Sequence, residues 1–322
     1  MAYVIEARGL HKSFNGVKAV NGIDLRINEG EIFGLLGPNG AGKTTTLSML
    51  ATLIKPTKGS ALVNGFDIRT QAHRVRGSIG FVFQDPSSDD LLTGRENLYL
   101  HALMYGVDMR DINRKMDDVL KLVDLTGVQH RRMKTYSGGM RRRLELARGL
   151  LHEPKVLFLD EPTLGLDPQT REHLWKYIKR LSTEKRVTII VTTHYMDEAD
   201  LLCDRVAIID RGKIVALDTP GNLKKRVGGD VVRISASSPN LRALRKLRYI
   251  KKVKTDGGLL TLTVDEAERH LQEILKVVGE VRSVESHFPT LNDVFLHFTG
   301  SDIRETEAEG GYFERMMHSG NR

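Results

Sequence analysis

"GPNGAGKTTT", Gly37 to Thr46, stands directly behind the apolar run Ile32-Phe33-Gly34-Leu35-Leu36. A tight turn needs one or two glycines, but it has no use for Lys43. The spacing Gly37-x-x-x-x-Gly42-Lys43-Thr44 matches a loop wrapped around phosphate. Such a loop turns several backbone N–H groups inward, which demands conformations and close approaches that glycine alone tolerates. A helix starting near Gly42 adds its positive end. Lys43 supplies a point charge for the β- and γ-phosphates, and the Thr44 hydroxyl is a ligand for Mg²⁺. The stretch reads as a nucleotide site at the exit of a buried strand.

Working outward, "VLFLDEP" (Val156 to Pro162) supplies the matching carboxylates. Asp160 ends an apolar strand at the sheet's carboxyl edge, where Mg²⁺ can be held through water. Glu161 alternates to the other side, placed to orient or deprotonate an attacking water. The runs "EIFGLLG", "IGFVFQ", "KVLFLDE", "VTIIVTTH" and "RVAIID" are nearly continuous in Val, Ile, Leu and Phe. Strands of that kind are buried on both faces of a mostly parallel sheet. Helical stretches such as Gln169 to Leu181 separate them, which gives an α/β architecture, and the phosphate loop at Gly37–Thr44 makes it a P-loop NTPase pattern. "VIEARGLHKSF" and "IDLRINEG" alternate more and predict an antiparallel β flap. "VGGD", Val227 to Asp230, reads as a hinge. Beyond it the order is β-α-β-β-α-β, a small ferredoxin-like α+β pattern, closed by the helix "TLNDVFLHF". The expected domains are 3–227, with a helical subdomain at about 88–152, then 228–300, then a flexible polar tail at 301–322.

The chain has 322 residues, 40% apolar and 28% charged, in the range of an ordinary globular protein. A single cysteine, Cys203, excludes disulfide frameworks and Cys-rich metal sites and fits a reducing, cytosolic address. The first residues lack the apolar core of a secretory signal. No apolar run reaches the roughly 20 residues of a membrane-spanning helix, so a membrane role is expected only through a partner. The net charge of +8 permits contact with nucleic acid or an anionic membrane face, but solvated basic helix faces give the same total. His11, His101, His173, His270 and His297 show no metal-binding spacing. Trp175 reads as packing and Cys203 as a small buried side chain.

Ser137-Gly138-Gly139 opens an amphipathic helix in "TYSGGMRRRLELARGLL". Taken alone, it is an N-cap serine with a flexible turn. The order along the chain is more specific: P-loop, Gln84 after "GFVF", Ser137-Gly138-Gly139, "LFLDE", "GLDP", and His194 after "TIIVTT". That order resembles the ATP-binding cassette of ABC transporters over Tyr3 to about Val227. The resemblance implies two cassettes paired head to tail around two ATP molecules. In each site one chain contributes Phe14 to the adenine and Gly37, Pro38, Asn39, Gly40, Ala41, Gly42, Lys43, Thr44 and Thr45 to the phosphates. The other contributes Ser137, Gly138 and Gly139, while Asp167 communicates across the pair. The implied Mg²⁺ set is Thr44, Gln84 and Asp160. The implied catalytic set is Glu161, the switch residue His194, Lys43 and Gln84, the last also relaying nucleotide state to a membrane partner. Tyr136 and Met140 depart from the family's usual Leu and Gln around the Ser-Gly-Gly core, and Phe14 replaces the commoner Tyr. None of these changes removes a phosphate donor or charge.

The phrases "FVFQDPSSDDLLTGRENL", "TTHYMDEADLLCDRVAIIDRGKIVALDTP" and "PTLNDVFLHFTG" are similar to those of ATP-binding subunits of two-component exporters of the daunorubicin-resistance type. This implies a homodimeric ATPase that uses ATP and Mg²⁺ at the cytoplasmic face of the cell membrane. It would drive a separately encoded permease for drugs, lipids or polysaccharides, with no nucleic-acid partner. The alternative is a soluble ABC ATPase of translation or nucleic-acid handling. Against it stand the short interval from Lys43 to Ser137, which has no room for a long coiled coil, the single cassette, and the lone cysteine. The C-terminal domain reads either as a dimer-stabilising appendage or as a module that senses a ligand or partner.

Overall fold

The structure, a computed structural model, describes residues 3–236, 239–256 and 258–300. The expected tail at 301–322 lies outside the described residues. The chain forms two compact units that divide at Val215/Ala216.

The first unit opens on a hairpin of β1 (Tyr3–Phe14) and β2 (Val17–Asn28). Its two-residue loop, Asn15-Gly16, has φ of 47° and 85°, the positive pair that matches a tight turn to strand twist. β4 (Lys58–Val63) and β5 (Phe66–Asp67) complete an antiparallel sheet of order β2-β1-β4-β5, which is the anticipated flap. The second sheet uses β3 (Ile32–Leu36), β6 (Ile79–Val82), β7 (Val156–Asp160), β8 (Thr188–Thr193), β9 (Arg205–Asp210) and β10 (Lys213–Asp218). Its order is β10-β9-β3-β8-β7-β6, with β9-β3-β8-β7-β6 paired in parallel. Every residue of β3, β7 and β8 is buried, so their unbroken apolar character reflects cover on both faces. Helix Lys43–Leu50 touches β2 and β4 of one sheet and β7 of the other. It is buried nearly all round and therefore lacks the polar stripe of a surface helix. Helices Gly94–Met104, Ile112–Leu122 and Gly138–Leu150 pack on one another. The first is fixed by a capping box between Thr93 and Glu96.

The second unit is built on β11 (Asp230–Ala236), β12 (Ile250–Asp256), β13 (Leu259–Val264) and β14 (Val281–His287). The order β12-β13-β11-β14, antiparallel throughout, is that of a ferredoxin-like sheet. Val232, Ile234, Leu260, Leu262 and Ile274 centre its core beneath helices Leu241–Leu244 and Ala267–Val278. The terminal helix, Leu291–Thr299, starts at a capping box between Thr290 and Asp293. Asp293 also accepts from the Arg233 guanidinium at 3.0 Å. The sequence places a hinge at Val227–Asp230. The division lies upstream, because helix Pro220–Lys225 packs on Leu291–Thr299 within the second unit. A Cβ on Gly229 would stand 2.5 Å from the Val264 carbonyl oxygen, so this glycine serves close packing rather than flexibility.

Candidate nucleotide site

Strand order and register assemble the site. In the parallel block β3-β8-β7-β6, Leu36 pairs with Thr193, Asp160 with Thr192, and Val82 with Leu159. The carboxyl ends of four adjacent strands therefore release the loop at Gly37, His194, Glu161 and Gln84 along one edge, the position where open α/β sheets bind ligands.

The loop's glycines are required by contact and by backbone. A Cβ on Gly37 would lie 2.2 Å from the Ile209 carbonyl oxygen, and one on Gly42 would lie 2.4 Å from that of Ala19. Gly42 has φ of 104° and Gly40 φ of 79°. Asn39 and Gly40 form the exposed crest, with Ala41 buried behind them. Ala41 donates its N–H to the Pro38 carbonyl at 3.2 Å. Lys43 and Thr44 open the helix and Thr45 is half-buried beside them. The Lys43 ammonium is folded into the loop, donating to the carbonyls of Gly37 (2.9 Å) and Pro38 (3.2 Å), and lies 3.2 Å from Glu161 Oε1. Across the edge, His194 Nδ1 lies 3.2 Å from Glu161 Oε2.

Asp160 faces the other way. Its Oδ1 accepts from the Thr44 hydroxyl at 3.0 Å and the Thr192 hydroxyl at 2.6 Å. Thr192 in turn accepts from the Glu161 N–H at 2.9 Å. That bond fixes Glu161 at φ 45°, a left-handed conformation rare for a side-chain-bearing residue. The neighbouring carboxyls are thus tuned apart. Burial raises Asp160, against the pull of the Thr192 and Thr44 hydroxyls. Burial also pushes Glu161 upward, but His194 and Lys43 outweigh it and hold the carboxyl below its usual range. Burial lowers the Lys43 ammonium, opposed by Glu161. The Thr44 hydroxyl and the Asp160 carboxylate, two hard oxygen donors in contact at the loop, suit Mg²⁺.

The remaining expected residues fall into separate groups. Ser137 caps helix Gly138–Leu150, accepting from Met140 N–H at 3.3 Å. Asp167 caps helix Pro168–Lys185 through Thr170 N–H at 3.0 Å. These two helix starts adjoin, because a Cβ on Gly139 would meet Thr170 Cγ2 at 2.5 Å, while Gly138 faces Leu166. Gln84 enters the network through its main-chain carbonyl, which accepts from Arg142 at 3.3 Å. Phe14 ends β1, exposed, with the Lys12 ammonium 4.9 Å above its ring. Sequence reasoning missed Arg142 and Thr192, and also Glu198, a fully buried carboxyl that accepts from Trp175 Nε1 (2.9 Å) and Thr163 (3.0 Å). Polar residues inside otherwise apolar or helical buried segments were the available signal.

A glycine cradle, an inward lysine and two oppositely tuned carboxyls on a parallel sheet edge define a P-loop nucleotide-binding cassette. The family model described as "ABC transporter" matches residues 20–164, and the model described as "ATP-binding protein DrrA1-3-like, C-terminal domain" matches 219–299. The daunorubicin resistance ATP-binding protein DrrA3 of Streptomyces coeruleorubidus is 39% identical over 94% of this chain and 98% of that protein. The linearmycin resistance ATP-binding protein LnrL of Bacillus subtilis (strain 168) is 35% identical over 94% of this chain and 100% of its own. Among solved structures, cbiO1 from Clostridium perfringens, part of the ABC transporter complex cbiONQ, aligns with a TM-score of 0.66. It is 28% identical and covers 76% of this chain and 94% of that one. The dimeric, post-hydrolysis cassette MJ0796 bound to ADP and Pi aligns with a TM-score of 0.61. It is 26% identical and covers 67% of this chain and 98% of that one. The chain belongs to the ATP-binding subunits of ABC transporters, in the daunorubicin-resistance group, and is an ATPase. These relatives do not favour the alternative of a translation or nucleic-acid ATPase. Among the described residues, no helix is long and apolar enough to cross a membrane.

Proposed function

We propose that two copies of this chain close around two Mg-ATP at the cytoplasmic face of the membrane and drive a separately encoded permease that exports drugs, lipids or polysaccharides. The observation that carries the site roles is the convergence of Lys43 and His194 on Glu161, each 3.2 Å from one of its carboxylate oxygens, with Asp160 and Thr44 in contact beside them. Gly37 to Thr45 wrap the phosphates and Phe14 stacks on adenine. Thr44, Gln84 and Asp160 hold Mg²⁺, which when bound neutralises phosphate charge. Ser137, Gly138 and Gly139 face the partner copy's γ-phosphate, with Asp167 beside them.

Before substrate arrives, Lys43 is paired with Glu161. A triphosphate offers that ammonium a stronger anionic partner, and Lys43 turns to it. Glu161 then loses one of the two groups that hold its proton affinity down. The carboxylate becomes a better base at the moment a water must be oriented or deprotonated, while His194 keeps it aimed. Cleavage of the γ-phosphate removes the group that both copies grip, and the pair opens. Support for export comes from the match to resistance ATP-binding proteins along nearly the whole chain, C-terminal unit included. We take that unit to stabilise the dimer.

Glu161→Gln is the test. Nucleotide affinity should be retained, turnover should fall by roughly 10²–10⁴, and light scattering should show an ATP-dependent dimer. Parental turnover would remove Glu161 from its role, and a sample that stays monomeric in the presence of permease would remove the pairing. Purification from membranes should bring down a permease. Ribosomes or DNA held with steep salt dependence would reverse the assignment.

A further inference from the structure

Arg142 lies on helix Gly138–Leu150, just beyond the Ser137–Gly139 front, and is only 5% exposed. A guanidinium has five N–H donors and no acceptor. Here they are spent on main-chain carbonyls from two loops. Nε donates to Pro162 at 2.7 Å, and Nη2 to Asp160 (3.0 Å) and Glu161 (3.1 Å). Nη1 donates to Phe83 and, at 3.3 Å, to Gln84. Among the described residues no carboxylate forms an ion pair with it. Packing alone does not account for a cation carried into a site where burial penalises it. Glu145, on the same helix and also buried, accepts from the N–H groups of Ser87 (3.3 Å) and Ser88 (3.0 Å), extending the grip on the segment that carries Gln84. The left-handed turn at Glu161 is thus held from two sides: Thr192 takes its N–H, and Arg142 takes its carbonyl and those of both neighbours.

We propose that Arg142 is a positioning residue for hydrolysis, locking Glu161 and Gln84 into one frame with the Ser137–Gly139 helix front, so that the chain's own ATP is cut only when that front is correctly held. The proposal rests on the roles assigned under Proposed function and adds a link between the two sites of the pair. The helix is a short rigid lever. Because five bonds converge on one planar group, displacement of the front is felt at both loops, and misplacement of about 1 Å is enough to cost on the order of a hundredfold in rate. ATP seated against the front of one chain thereby sets hydrolysis by that same chain on its own ATP, a coupling between sites.

The test uses the full-length chain with Arg142→Lys, which keeps the charge but loses the planar fork. Affinity for a fluorescent ATP analogue should stay within about twofold. The turnover number should fall roughly 10- to 100-fold, and the Hill coefficient for ATP should drop towards unity. Unchanged turnover and cooperativity, or affinity falling in step with turnover, overturns the proposal. A second measurement does not depend on that variant folding. Gly139→Ala drives a Cβ against Thr170 and shifts the front, and amide exchange in the peptides containing 158–163 and 83–88 should accelerate. Unchanged exchange there overturns the proposal. Glu161→Gln run alongside separates the two failures: if it turns over at the parental rate the site roles are wrong, whereas its loss beside an unaffected Arg142→Lys refutes Arg142 alone.

Discussion

Thr192→Val isolates one hydroxyl on which both carboxyls depend. The side chain is fully buried and nearly isosteric with valine, so the change opens no cavity. It removes the acceptor for the Glu161 N–H (2.9 Å) and a donor to Asp160 Oδ1 (2.6 Å). An unsatisfied buried N–H costs about 1–3 kcal/mol, and a hydrogen bond to a charged group contributes about 1.5–3 kcal/mol. Asp160 keeps the Thr44 hydroxyl, so the net loss should be roughly 2–4 kcal/mol. The positive-φ turn at Glu161 loses one of its two anchors, and turnover should fall at least about tenfold. Trp175 is the sole tryptophan and bonds Glu198 in the same unit, so its fluorescence in a urea titration reports this unit's unfolding. Phosphate release gives the rate. A stability change below about 0.5 kcal/mol with turnover within twofold would refute the role given to the hydroxyl.

Two further perturbations probe the loop and the helical segment. Gly37→Ala forces a Cβ onto the Ile209 carbonyl, whereas Gly40→Ala meets no atom and bears only its φ of 79°. The first should cost ~3 kcal/mol or more and abolish nucleotide binding, the second about 1–2 kcal/mol; the reverse order in paired denaturation and binding titrations would refute the cradle as described. His101 packs against Tyr105 with ring centroids 4.6 Å apart, and burial, then Arg148 and His152, lower its pKa from 6.5 to about 3. The neutral ring is favoured in the folded state and the unfolded chain takes a proton near 6.5. The stability from His101 is therefore complete above that pH and is lost as pH falls towards 3, by up to about 1.4 kcal/mol per unit. His101→Phe should flatten that dependence in urea titrations between pH 6 and 4; an unchanged slope would show that the imidazole is not held neutral.

What could be read in advance depended on how far each residue's task reaches along the chain. The loop from Gly37 to Thr44 carries its glycine spacing and its lysine side by side, so the pattern is visible even though the Ile209 and Ala19 carbonyls that crowd Gly37 and Gly42 are not. Asp160 and Glu161 are legible for the same reason, as charges that abruptly end an apolar strand. Gly229 is harder to read, because the sequence shows its missing side chain but not the Val264 carbonyl that occupies the space. Arg142 was hidden differently. "RRR" at 141–143 looks like a solvated basic run, yet successive helical residues point about 100° apart and cannot all share the exposed face of a packed helix. One of the three had to turn inward, and only the fold reveals that Phe83 and Asp160, distant in sequence, present carbonyls there. Thr192 poses the same problem as a hydroxyl inside β8, where every neighbour is buried. A buried donor must find an acceptor, so a polar residue in such a segment predicts a partner without naming it. The residues assigned to phosphate are therefore written locally, while those that align them with one another become readable only once distant loops have been brought together.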